Sequence, residues 1–298
     1  MHWTIKLTRV VLRTLLLLLT SSLVGQMQSA DLYKLHGVGG AQFSRDGKHI
    51  AYTIQNNDRP GRPWRQIWIM DVATGKSSRL GGPQDPSGGA KWSPDGNWIA
   101  YHGKQGDKSG LLLAHSDGSD VRFLAATEGT NAPLPNVAGD VSWSPDSKRL
   151  AYVAATPGPE TQEASGDPVV IRRYLYKPDY DEGMTRFNDN RRTHIFVADI
   201  ASGQTSQLTK SNTYEHSVDW SPKGDEIVYV SEGEPDADMF YDDDLYAVRV
   251  SDGKVRRLTA SEGSEFEPQW SPDGTKIAFL ATKRGLTDRE TNMEDAHL

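Results

Sequence analysis

Trp92-Ser93-Pro94-Asp95-Gly96-Asn97-Trp98-Ile99-Ala100-Tyr101 is the stretch that decides the fold. Proline presets φ for the first central position of a turn, aspartate can bond back to its own backbone, and glycine follows where a side chain is unwelcome. The aromatic ends one strand, and the alternating residues after the turn begin another. The stretch is therefore a β-hairpin. It recurs without gaps from Phe43 (FSRDGKHIAY), Trp143 (WSPDSKRLAY), Trp220 (WSPKGDEIVY) and Trp270 (WSPDGTKIAF). The five starts lie 49, 51, 77 and 50 residues apart. A period near fifty is that of propeller blades.

A second motif follows the hairpin in four of the repeats. It runs from Ile67 to Leu80, Leu111 to Leu124, His194 to Thr209 and Asp244 to Thr259. Each copy is a strand, a turn rich in Asp, Ser, Thr and Gly, and a second strand ending at a leucine. Two hairpins make a four-stranded antiparallel sheet, so the expected fold is an all-β propeller. Phe43, Trp92, Trp143, Trp220 and Trp270 share one register and are expected in the core, wedged between blades. A row of sugar-stacking tryptophans would need them exposed. Gly39-Gly40 and Gly88-Gly89 read as linkers between blades.

The interval of 77 residues holds an insertion at 155–192, between the two hairpins of one blade. Its first part is rich in Pro and Gly. Val169 to Tyr176 alternates enough for an extra strand, and Tyr174, Tyr176, Tyr180 and Phe187 sit among paired charges, a composition suited to an interface. By register, His297-Leu298 opens the third strand of a fifth blade. Four and a half blades would form an open arc, and a truncated sequence is expected.

Composition fits an ordinary soluble chain: 36% hydrophobic, 24% charged, net charge −7. No basic patch occurs, so no nucleic-acid partner is expected. The absence of cysteine excludes disulfides and thiolate catalysis. Lys6, Arg9 and Arg13 precede the apolar run Leu15 to Leu19, with Leu23 and Val24 beyond it. Charge, short leucine run and small polar residues in that order read as a signal peptide over 1–30, with Ala30 as the cleavage candidate. A periplasmic or secreted product with no membrane span after cleavage is expected, with the propeller over 31–298.

The phrases W-S-P-D-G-x-x-I-A-Y and D-x-x-T/S-G-x-x-x-x-L-T resemble the repeats of TolB-like propellers; no G-H to W-D pattern occurs. Two groups carry such repeats: TolB itself, a periplasmic protein-binding scaffold, and the serine peptidases of the prolyl oligopeptidase family. The repeats begin almost directly after the leucine run, which leaves no room for the separate α/β domain that TolB resemblance implies. The segments Pro168 to Lys177, Asp179 to Gly183 and Arg191 to Val197 are similar to acylaminoacyl-peptidase and dipeptidyl-peptidase members of the second group. That resemblance implies a propeller that admits short peptides to a C-terminal α/β-hydrolase domain, here missing. The family's nucleophile sits in G-x-S-x-G, and this chain has none. Gly106-Asp107-Lys108-Ser109-Gly110 has the wrong spacing and is expected in an inter-hairpin loop. No catalytic residue can be assigned, and the chain alone is not expected to hydrolyse peptides. The scaffold reading remains the alternative. A polysaccharide lyase would need His or Arg clusters at the ring centre, and none is identifiable.

The run Glu232, Glu234, Asp236, Asp238, Asp242, Asp243 and Asp244 admits three readings. It lacks the D-x-D-x-D-G spacing of a calcium loop. The resemblance implies that carboxylates such as Glu232 and Glu234 could meet a substrate's amino terminus. The simplest account is a solvated loop. Arg172 and Arg173 are candidate substrate contacts too, although local ion pairing of Arg172, Arg173, Arg191 and Arg192 with Asp179, Asp181 and Glu182 accounts for them as well. No cofactor or metal motif occurs, and none is expected.

Overall fold

A computed structural model describes residues 27–130, 140–158, 191–232, 243–261 and 263–282. A short 3-10 turn at Ser29–Lys34 leads into eighteen strands. Blade 1 comprises β1 (Gly37–Phe43), β2 (His49–Asn56), β3 (Trp64–Asp71) and β4 (Ser77–Arg79). Blade 2 holds β5 (Gly88–Trp92), β6 (Trp98–Gln105), β7 (Lys108–His115) and β8 (Arg122–Ala125). Blade 3 holds β9 (Val141–Trp143), β10 (Arg149–Pro157), β11 (Arg191–Asp199) and β12 (Thr205–Gln207). Blade 4 holds β13 (Glu215–Trp220), β14 (Glu226–Glu232), β15 (Asp243–Arg249) and β16 (Val255–Arg257). The hairpin β17 (Glu265–Trp270) and β18 (Ile277–Ala281) begins blade 5. Every sheet is an antiparallel meander in chain order, and the sheets form an open arc.

The core lies between blades, and the period of two explains how. Side chains alternate across a strand, so each inner strand supplies two interfaces. On β6, Ile99 and Tyr101 face Ile67, Ile69 and Leu80 of blade 1, while Ala100 faces Val141 and Leu150 of blade 3. On β10, Leu150 and Tyr152 face blade 2, while Ala151 meets Val218 and Ile227 of blade 4. Strands buried on both faces read as near-continuous apolar runs, such as Leu111-Leu112-Leu113-Ala114.

The repeat aromatics occupy equivalent positions: each pairs with the residue seven further on, as in Phe43↔Ile50, Trp92↔Ile99, Trp143↔Leu150, Trp220↔Ile227 and Trp270↔Ile277. Their burial differs. Trp143 and Trp220 are buried, and Trp92 and Trp270 are half-buried. Trp92 Nε1 donates to the Gln42 carbonyl (3.2 Å) and Trp143 Nε1 to that of Lys91 (3.1 Å), one blade back each time. Phe43, expected in the core, is instead 65% exposed. Its register points it at the preceding blade, and among the described residues none packs there.

The turn chemistry is as read. Ser44 Oγ donates to Asp46 Oδ1 (2.7 Å), which accepts Lys48 N–H, while Ser44 Oγ accepts His49 N–H. Ser93–Asp95, Ser144–Asp146 and Ser271–Asp273 repeat it. In blade 4, where Lys223 replaces the aspartate, Ser221 Oγ turns to Asp225 (2.8 Å). The residue after the aspartate takes a left-handed conformation. It is glycine except at Ser147 (φ 59°), whose Oγ accepts Asp95 N–H across the blade boundary (2.9 Å). Such a bond offsets part of the αL cost of a Cβ.

These turns make the fold acid-sensitive. The Lys48 N–H and Ser44 hydroxyl pull Asp46 down to about 2, and the Ser271 hydroxyl with Thr275 N–H does the same for Asp273. A folded-state pKa below the unfolded one contributes stability that is complete above the ordinary carboxylate range and is lost as pH falls toward 2. The thermal midpoint of the native chain should fall across that window. A variant carrying Asp46→Asn and Asp273→Asn should lose less. Identical slopes for the two proteins would refute the assignment.

Two sequence expectations are corrected here. Gly39-Gly40 and Gly88-Gly89 are not linkers. They lie inside β1 and β5 at β-bulges, between Gly39 and Gln42 and between Gly88 and Lys91. β13 and β17 bulge at the same place, with Ser217 and Glu267 at positive φ. A bulge bends and twists its strand, which curves the first strands of blades 1, 2, 4 and 5. The insertion is also shorter than 155–192. The β10–β11 ladder runs unbroken to Pro157↔Arg191, so Thr156 and Arg192 are paired strand residues. The remainder, including the alternating Val169 to Tyr176, lies outside the described residues.

Candidate functional site

At the last two blade boundaries the first strands approach one another, β9 with β13 and β13 with β17. The residue just before each repeat aromatic belongs to this inner rim: Gln42, Lys91, Ser142, Asp219 and Gln269. Four of them, with Glu267, line an opening of about 280 Å³ framed by β5, β9, β13 and β17. Asp219 ties three blades together there. It accepts Trp270 N–H (2.8 Å) and the Ser142 hydroxyl (3.3 Å). Ser142 Oγ also accepts Trp220 N–H (3.0 Å). Burial pushes the Asp219 carboxyl above its ordinary range against the hydrogen bonds that favour its charge. Donors and acceptors of both signs thus face one pocket. No His or Arg is among them, so the cluster required for a polysaccharide lyase is not at this rim among the described residues.

The other end of each blade carries the connection between its second and third strands. In blade 2 this is the tight turn at Gly106-Asp107, while Lys108, Ser109 and Gly110 belong to β7 rather than to a loop. In blades 3 and 4 the same connections hold 158–190 and 233–242, so both long segments leave the arc at one end. Glu234, Arg172 and Arg173 fall in them, outside the described residues. Glu232 ends β14 and pairs in register with Asp243. Glu232, Asp243 and Asp244 are 4%, 2% and 1% exposed, so the solvated-loop account fails for these three.

For Asp244 the surroundings explain the burial. Arg257 donates to Asp244, and Thr259 Oγ1 donates to Glu265 (3.0 Å) while accepting Leu245 N–H (2.8 Å). One blade earlier Thr209 Oγ1 donates to Glu215 and accepts Ile195 N–H (2.9 Å). His194 Nδ1 lies 3.3 Å from Glu215. A Leu-Thr pair followed six residues later by glutamate is thus a clasp, tying the first strand of one blade to the third strand of the blade before. The pattern stands in the sequence at Thr209/Glu215 and Thr259/Glu265, where the Leu-Thr end of the second motif was aligned but the glutamate six residues on was not. Burial raises the Asp244 and Glu265 carboxyls despite their partners. His216, fully buried, bonds Ser217 Oγ through Nδ1 (2.9 Å), and its Nε2 lies 3.7 Å from Asp243.

The arginines divide. Arg191 pairs with Glu128 (2.8 Å), and buried Arg192 donates to the Tyr214 hydroxyl (3.2 Å) and the Asn212 carbonyl (3.2 Å). Among the described residues no three His, Asp or Glu side chains are placed to hold a metal ion, and no helix is long and apolar enough to cross a membrane.

Comparison with known proteins places this geometry. Residues 175–294 match the family model of the TolB beta propeller domain. An uncharacterised peptidase of Bacillus subtilis, YuxL, is 25% identical over 209 residues, which are 67% of this chain and 30% of the peptidase. The acylaminoacyl peptidase of Pyrococcus horikoshii superposes with a TM-score of 0.58 at 16% identity, over 84% of this chain and 36% of that one. A TolB-like protein of Agrobacterium tumefaciens gives 0.53 at 20% identity, over 85% and 73%. The chain therefore spans about a third of the length of the peptidases it is similar to.

Proposed function

We propose that this TolB-type propeller domain is the substrate-admitting part of an exported serine peptidase that acts on short peptides. The observation that carries the reading is the pocket on the first strands lined by Lys91, Ser142, Asp219, Glu267 and Gln269. Its mixed donors and acceptors suit a peptide main chain. Likeness to peptidases that exceed this chain in length supports the same reading. Export follows from the charged and leucine-rich segment before Ser29, with the propeller working outside the cytoplasm. The α/β-hydrolase partner supplies the nucleophile; this chain supplies size selection. The segment between Pro157 and Arg191 leaves blade 3 at the end where the 233–242 connection also emerges, and it serves as a gate or as a contact with the hydrolase domain.

The test is turnover by the complete gene product that carries this propeller. It should contain a G-x-S-x-G serine and cleave short fluorogenic peptides while sparing intact folded proteins. Asp219→Lys together with Glu267→Lys should change the preferred peptide charge. A product that ends after further blades without such a serine would overturn the reading and leave a protein-binding scaffold.

A further inference from the structure

The boundary between blades 1 and 2 holds a cavity of about 820 Å³ lined by Arg62, Arg65, Lys104, Trp64, Ser87 and Thr127, among others. It opens at the end of the blades that carries the connections between second and third strands. In a chain of net charge −7, three cations converge here. None of them is in an ion pair among the described residues. The carboxylates nearest the wall are held by groups other than these three cations. Asp58 accepts Trp64 Nε1–H (2.7 Å), Asp140 lies 2.9 Å from His102 Nε2, and Glu128 holds Arg191. The wall is rigid: Trp64 is buried, the Arg59 guanidinium stacks 4.1 Å from its ring centre, and Ser87 Oγ accepts Ile67 N–H (2.8 Å).

We propose that this cavity is a carboxylate-binding site that takes the C-terminal carboxylate of a short peptide. The assignment rests on the peptide reading above and adds the group recognised. Guanidinium forks match a carboxylate with two parallel hydrogen bonds, which a lone lysine cannot supply. The volume is that of small-ligand sites, on the order of 300–1,000 Å³. Polyanions are disfavoured, because the positive patch is confined to one cavity of an acidic protein and would not track a phosphate backbone.

The experiment is calorimetric titration of the chain at low salt with trialanine, trialaninamide and N-acetyl-Ala-Glu-Ala amide. Trialanine should bind about tenfold more tightly than its amide, as expected for a charge-assisted pair. Arg62→Gln with Arg65→Gln should erase that difference, and both side chains are exposed, so the fold should persist. Arg79→Gln, a change at a half-buried arginine on the outermost strand of blade 1 that does not line the cavity, should preserve it. Equal binding of trialanine and its amide would overturn the carboxylate site and leave the peptide reading standing. Binding by neither would overturn both. Tighter binding of the acetylated glutamyl peptide than of trialanine would overturn the terminal-carboxylate assignment in favour of an acidic side chain.

Discussion

Trp220→Ala should lower the unfolding free energy by about 3–5 kcal/mol, and Phe43→Ala by less than about 1 kcal/mol, although the two positions are equivalent in the repeat. Trp220 is 4% exposed and packs among Ala151, Ile195, Val218 and Ile227, with the Arg149 guanidinium 5.0 Å from its ring centre. Truncation removes a large apolar surface and leaves a cavity that two rigid sheets cannot collapse. The Trp220 N–H to Ser142 bond survives the substitution, so the loss belongs to the side chain. Phe43 leaves no cavity because no blade covers it among the described residues. Urea unfolding followed by far-UV circular dichroism measures both. Equal losses would mean that the Phe43 face is packed against something and that the arc is closed.

The second large effect is Gly110→Ala. A Cβ at Gly110 would stand 2.2 Å from the Ala125 carbonyl oxygen and 3.0 Å from the Ala126 Cα. Both are backbone atoms in and beside β8, so no side-chain rotation relieves the clash. The β7–β8 register already shifts between Leu111 and Leu112 to bring these segments together. Relief therefore requires moving β8 away from Leu111, Leu112 and Leu113, all fully buried. A loss of about 3 kcal/mol is expected, the upper part of the range for overpacking. Gly106→Ala is the control: φ is +61° but nothing lies within 4 Å, so only about 1 kcal/mol of backbone cost applies. Thermal unfolding of the two variants side by side decides the matter; a smaller loss at Gly110 than at Gly106 would refute the clash.

What the sequence revealed and what it hid follow from range. The hairpins were legible because proline, aspartate and glycine act within four residues, and because the spacing of seven from aromatic to isoleucine or leucine is the same in every blade. Glycine pairs were misread because a bulge and a linker use the same residue for the same positive φ; only the partner strand tells them apart. Phe43 was misread for a different reason. Register says which way a side chain points and nothing about whether a neighbour stands there. Asp243 and Asp244 looked solvated because the Arg257 and Thr259 partners of Asp244, and the Ser264 hydroxyl that accepts Asp243 N–H, come from another strand and the adjoining blade. The inner rim was missed altogether, since Lys91, Ser142 and Asp219 are ordinary residues until the topology brings successive blades together.

Placing every core between two blades rather than within one has a thermodynamic corollary. No blade possesses a hydrophobic interior of its own, so each is worth little without its neighbours, and the total is a sum of nearest-neighbour couplings. Opening such an array costs one coupling at an end and two in the middle. Amide exchange should therefore be graded along the chain, fast in β1 and β18 and slow in β10 and β14, instead of reporting one global event. The propeller behaves as a zipper whose ends breathe while its centre holds.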